Sequence, residues 1–261
     1  MAERRHDGGR AAARRIRLIA GQTLGEALRL RLSALLGAVA ALLVVGSRWL
    51  QEFNFGAPEI AFLGDFGLGV IGAGGTLLAV LLTAHLCYND LAAGVIACVL
   101  TRPARRWEWV AGKWLGASGA LAVFTVVLGG LLGGLMTWRC QQLGVPCAAL
   151  SLFAAACALQ WMKATLVVAM TLVVSVYAGS PLFASGAGLL LALIGHLRPF
   201  ATGTLEWLRI WPNLAVFDGA GLLAGNLPLT GPALWHAVAY WALSCAWLGA
   251  FASYVFKHRE F

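Results

Sequence analysis

Of 261 residues, 60% are hydrophobic and 11% charged, with a mean hydropathy of +0.80. That composition lies far outside soluble-domain averages and makes the chain an integral membrane protein. The formal net charge of +8 invites a nucleic-acid reading, but the placement of the basic residues argues against it. Fourteen of the 19 Lys and Arg lie before Leu32, within Asn89–Lys113, or after Phe256. An even number of crossings puts all three groups on one side. The positive-inside rule makes that side the cytoplasm, with anionic lipid as the contact and no nucleic acid.

Taken in order, residues 1–12 read as a disordered cytoplasmic tail ahead of one membrane domain, 13–261. Ala13–Arg31 is amphipathic: Ile16, Ala20, Leu24, Ala27 and Leu28 share a face, with Arg15, Gln22, Glu26 and Arg29 opposite. This predicts a helix lying in the cytoplasmic interface. The Arg14-Arg15 pair makes a poor twin-arginine export signal, because polar residues delay the apolar run and no cleavage site follows. Leu32–Leu50 is the first crossing and Gln51–Asp65 an outer loop. The second crossing, Phe66–Tyr88, carries Gly67, Gly69, Gly72, Gly74 and Gly75, so its outer half packs closely on a neighbour or bends.

The third crossing, Val110–Met136, holds Gly129-x-x-x-Gly133 and Gly130-x-x-x-Gly134, a spacing that permits close helix approach and is a weak sign of a dimer face. Cys140 and Cys147 bound the next outer turn, where disulfides persist. A bridge and two free thiols fit the spacing equally well. Leu150–Tyr177 is too long for a simple span, so it is tilted or begins as an interfacial helix. Ala178-Gly179-Ser180-Pro181 is a tight inner turn, and Leu182–His196 a short fifth crossing. Leu197–Leu234 is a long outer segment, and Trp235–Phe256 crosses back to a basic anchor. The sequence predicts an all-α membrane fold of about six transmembrane helices, with both termini cytoplasmic.

The most informative stretch is Asn89–Lys113, between the second and third crossings. Arg102, Arg105 and Arg106 would each cost several kcal/mol in hydrocarbon, so this loop stays on one side. Asn89 or Asp90 can cap a short helix with Leu91, Val95 and Val99 on one face, and Thr101-Arg102-Pro103 ends it. A capped apolar helix ending in a basic turn at a membrane surface is a docking element.

The order Asp90-x-x-x-Gly94, Leu100-Thr101-Arg102-Pro103-x-x-Arg106 and Gly112-Lys113 resembles the signature loop of ABC-2-type transporter permeases. The resemblance is nearest to the branch tied to multicopper-enzyme maturation and related exporters. That loop usually opens with Glu, so Asp90 is a conservative departure. Trp211–Asp218, a Trp-Pro-Asn-Leu-x-x-Phe-Asp run, also looks like a family element. The resemblance implies a cytoplasmic coupling helix that docks into separate ABC ATPase subunits through Asp90, Gly94, Val95, Leu100, Thr101, Arg102, Pro103 and Arg106. It further implies ATP and magnesium on that partner, no cofactor on this chain, and a second permease copy or homologous permease. A positive-inside loop with no partner would need the arginines but no glycine, proline or helical face.

Gly112-Lys113 is not a phosphate loop, because Trp107 stands where the first glycine belongs and Trp114 where Ser or Thr must hold magnesium. No His-Glu-x-x-His or Gly-x-Ser-x-Gly occurs, and the five histidines are scattered, which argues against enzyme and metal chemistry. The 11 tryptophans read as membrane-interface anchors, and Cys87, Cys98, Cys157 and Cys245 as small apolar fillers. Lys163 has two readings. Near mid-membrane it would face a cavity on the substrate path; beside an interfacial Trp161 it would snorkel to headgroups, and Trp161 favours that second picture. The expected function is the permease subunit of an ATP-driven exporter in the inner (plasma) membrane. The alternative is an ATP-independent membrane scaffold or assembly factor.

Overall fold

Apolar runs of this length satisfy their backbone in a membrane by forming helices. The computed structural model describes residues 2–50, 59–92, 106–144, 150–200, 206, 211–219 and 231–258. The regular structure among them is entirely helical: α1 (Ala2–Arg29), α2 (Arg31–Leu50), α3 (Glu59–Ala92), α4 (Arg106–Leu143), α5 (Leu150–Ser175), α6 (Pro181–Leu197) and α7 (Gly231–Lys257), with 3-10 turns at Arg198–Phe200 and Ala215–Phe217. Each of the six predicted crossings coincides with one of α2–α7.

The number of full spans is smaller than expected. Among the described residues, four helices are long and apolar enough to cross a bilayer: Ile60–Asp90, Arg106–Leu143, Ser151–Ser175 and Leu234–Lys257. Ala11–Arg29 and Ser33–Gly46 qualify only as a pair bent by 61°, which would make a fifth. At that bend the Ser33 hydroxyl lies 2.7 Å from the carbonyls of both Ala27 and Leu30; Leu30 already accepts from the Ser33 and Ala34 N–H groups, and the single hydroxyl proton can serve Ala27. α6 has 17 residues. At 1.5 Å per residue it rises about 26 Å, short of the roughly 30 Å hydrocarbon core.

The tail expected to be disordered over 1–12 is helical from Ala2 onward. Ala11, Ala12 and Ala13 lie in the best helix-forming composition available, and helix propagates from such a nucleus. α1 also has a protein neighbour: it packs along the first half of α4. A Cβ on Gly112 would stand 2.6 Å from Ile19 Cγ2, and one on Gly116 would stand 2.5 Å from Thr23 Cβ. The two glycines, four apart on one face, form the groove that receives α1.

The centre of the bundle is α5, which contacts α3, α4, α6 and α7. It is one continuous helix of 26 residues, without a break between Leu150 and Ser175. Leu166, Val167, Val168, Met170 and Thr171 along it are fully buried. Four of the five α3 glycines singled out pack closely: Gly67 faces Leu132, Gly74 faces Phe124, and Gly72 and Gly75 face Gln160 and Ala164 of α5, whereas Gly69 has nothing within 4 Å. In α4 the two overlapping glycine pairs separate by face. Gly129 and Gly133 meet Cys157 and Phe153 of α5 within the chain, whereas Gly130 and Gly134 have nothing within 4 Å. Ser180 caps α6, its hydroxyl accepting from the Phe183 N–H at 3.2 Å, and Pro181 opens the first turn.

These contacts predict opposite outcomes for two similar substitutions in α4. Gly116→Leu should lower the stability of the purified protein by about 1–3 kcal/mol, because an overpacked contact has to spread. Gly130→Leu should leave it unchanged. Thermal unfolding in detergent measures both, and equal losses would count against the α1–α4 contact.

Candidate functional site

The two ends of the Asn89–Lys113 stretch form a stem in which four helices are tied together. Asp90, at the end of α3, pairs with Lys113 of α4 at 2.8 Å and accepts from Trp109 Nε1 at 3.1 Å. Lys113 is buried, so its ammonium depends on that carboxylate. Glu108, also buried, receives both arms of the Arg15 guanidinium from α1, at 2.7 and 2.8 Å. Such a bidentate fork fixes direction as well as distance. Arg106 reaches α7, donating to the Phe256 carbonyl and, at 3.0 Å, to that of Lys257. Those carbonyls belong to the last turn of α7, where helix-internal donors run out and positive charge is favoured. Trp109 stacks on Phe256 with ring centroids 5.2 Å apart, which closes the contact between α4 and α7.

Of the residues named for docking, the structure places Asp90 and Arg106 at the two roots of the stem. Gly94, Val95, Leu100, Thr101, Arg102 and Pro103 lie outside the described residues. Cys140 is disulfide-bonded, and Cys147 likewise lies outside the described residues.

A second polar centre lies far along the bundle from the stem. A cavity of about 500 Å³ opens between α3, α5 and α6, with Gln160 and Lys163 on its α5 wall. Lys163 does not reach out as a snorkelling lysine would. Its side chain is 8% exposed, and its ammonium lies 2.6 Å from Asp218 Oδ1. Asp218 ends the Trp211–Asp218 run, which is held in place by several contacts. The Asn213 side chain accepts from the Ala215 N–H at 3.0 Å, the Asn213 N–H donates to the Tyr240 hydroxyl at 2.6 Å, and Leu214 N–H donates to Gly195 O at 3.1 Å. Leu214 and Phe217 are fully buried and anchor the run against the bundle.

Between the two centres, tryptophans interlock the helices. Trp114 Nε1 donates to the Thr165 carbonyl at 3.1 Å, Trp241 Nε1 to the Thr165 hydroxyl at 2.9 Å, and Trp161 Nε1 to Ser118 O at 3.0 Å. Trp241 lies about equally near both other indoles, with centroids at 6.0 and 5.9 Å. These side chains, with Trp109, therefore serve helix–helix contact.

The family described as ABC-2 family transporter protein matches residues 66–198, a segment that contains both polar centres apart from Arg15, Asp65, Asp218 and the contacts of α7. That match covers just over half of the chain. The chain belongs to the ABC-2 transporter family. It is a multi-pass membrane permease, a component of transport. No curated protein matches the sequence.

Several residues of this permease escaped the sequence reading. Glu108 is an acid set in a run of arginine and tryptophan, and that contrast was a usable signal. Asp218 was visible only as part of a run, without a role. Arg15 was assigned to a generic positive-inside face, and Phe256 to a generic apolar span.

The stem makes a quantitative prediction. Asp90→Ala leaves the Lys113 ammonium buried without its carboxylate and should cost about 3–5 kcal/mol of stability. The double substitution Asp90→Ala with Lys113→Met removes the orphaned charge and should recover most of that loss. Unfolding midpoints of the single and double variants measure the coupling, and additive losses would show that the pair contributes nothing.

Proposed function

We propose that this permease is the membrane-spanning subunit of an exporter, powered by separate ABC ATPase subunits that dock on the cytoplasmic loop 89–106. The observation that carries this reading is the stem. A loop with family-like spacing is mounted where α1, α3, α4 and α7 are joined by two ion pairs and a capped helix end. A push on such a mount is delivered to four helices at once. ATP and magnesium belong to the partner in this reading, and this chain supplies no catalytic group. A second permease copy or a homologous one completes the translocation path. The protein is placed in the inner (plasma) membrane with both termini in the cytoplasm, as the basic residues favour.

Closure of the ATPases would move the stem, and the Trp114–Thr165–Trp241 contacts are the physical route from there toward α5. The runner-up, an ATP-independent scaffold, needs no docking loop. Val95→Asp places a charge on the apolar face of the proposed coupling helix. It should abolish co-purification of the proposed ABC ATPase partner while membrane insertion stays normal. ATPase recovered at wild-type yield would favour the scaffold.

Orientation has its own test through Cys140. In the proposed topology this disulfide-bonded cysteine faces the oxidising side, where bridges persist. After mild reduction, a membrane-impermeant thiol reagent should label Cys140 from outside intact cells. Labelling from the cytoplasm alone would invert the proposed topology.

A further inference from the structure

We propose that the cavity between α3, α5 and α6 is a binding site for an amphipathic organic cation whose ammonium carries at least one N–H. The proposal rests on the transporter reading above and names the substrate class.

The cavity, about 500 Å³, is the size of a small drug-like ligand. Leu68, Leu77, Leu189 and Leu193 give it an apolar wall. Its charged groups are Asp65, Lys163 and Asp218, and they do not balance. Lys163 is neutralised by Asp218 at 2.6 Å, whereas Asp65 has no ion pair among the described residues. One negative charge is therefore left over, on an exposed carboxylate of the cavity lining.

One further polar group of the lining lacks a donor to receive. Gln160 is 5% exposed, and its Oε1 has no hydrogen-bond partner. It fits only because Gly72 has no side chain, since a Cβ there would lie 2.6 Å from that oxygen. His196 has its Nδ1 2.9 Å from the Ala192 carbonyl, so Nδ1 is the donor in that contact. The unmet Gln160 oxygen together with an excess carboxylate is complementary to N–H groups on a cation. A bound anion would have to displace Asp218 from Lys163 and then face Asp65. A metal ion is a poorer fit, because no three His, Cys, Asp or Glu side chains among the described residues gather to hold one.

The test uses the purified full-length permease in detergent, without an ATPase, titrated calorimetrically with phenethylammonium, 2-phenylethanol and 3-phenylpropanoate. The ammonium should bind at least about tenfold more tightly than either other probe, as expected for one charge-assisted contact. Asp65→Asn should weaken it by about tenfold, and Asp65→Glu should retain it. Lys163→Met should leave the affinity unchanged or raise it, because the half-exposed Asp218 is then freed to face the ligand.

Tighter binding of the propanoate, lost in Lys163→Met, would overturn the proposal in favour of an anion site. Equal binding of ammonium and alcohol, binding indifferent to Asp65→Asn, or no binding of any probe would also overturn it. None of these outcomes bears on ATPase docking, which the Val95→Asp co-purification judges separately.

Discussion

A charge carried into a membrane bundle has to meet an opposite charge there, and this requirement organises the permease. The buried ionised side chains among the described residues are Glu108, Lys113 and Lys163. Each faces a partner on another element: Arg15 on α1, Asp90 on α3, and Asp218 in the segment before α7. Replacing one partner leaves an uncompensated charge, whereas an apolar pair of the same size would not. The pairs therefore do more to specify which elements meet than to add net stability. Two of them join α1 and α3 to α4, and the third joins α5 to the Trp211–Asp218 run.

Close backbone approach complements those pairs. Gly112 and Gly116 let α1 come near enough to α4 for Arg15 to reach Glu108. Gly72 admits Gln160 to the wall of the cavity. In lipid, where apolar contact with a neighbour gains little over contact with acyl chains, small residues and polar pairs decide which helices associate. The glycine content of this chain has that use at α3 and α4.

Much of this architecture was legible in the sequence, and for a physical reason. An apolar run of about 20 residues has few fates other than a helix, so α2–α7 follow from hydropathy alone. The tight turn at Ala178–Pro181 was equally plain, since it depends on neighbours in the chain, although the Ser180 cap within it was not named. Tertiary pairing was not plain. Nothing in Gln160-Trp161-Met162-Lys163 tells that a carboxylate 55 residues later will meet the lysine. Trp161 suggested a membrane interface, and the lysine was drawn toward headgroups with it. The indole instead bonds to Ser118 O inside the bundle. Helix length misled in a milder way: α6 was recognised as short, but its deficit of a turn leaves fewer full spans than crossings expected. The loop signature itself was readable because its spacing is local, whereas the stem beneath it is assembled from four helices.

The tie between Arg106 and α7 has a consequence for the order in which the protein is made. The carbonyls that receive the Arg106 guanidinium belong to Phe256 and Lys257, synthesised 150 and 151 residues after it. During translation the stem can gain its α1 and α3 contacts as soon as α4 emerges, but its α7 contact has to wait for the last helix. A nascent chain thus carries a half-tethered loop until α7 is inserted. Completion of the stem then serves as a structural record that the whole bundle has been built.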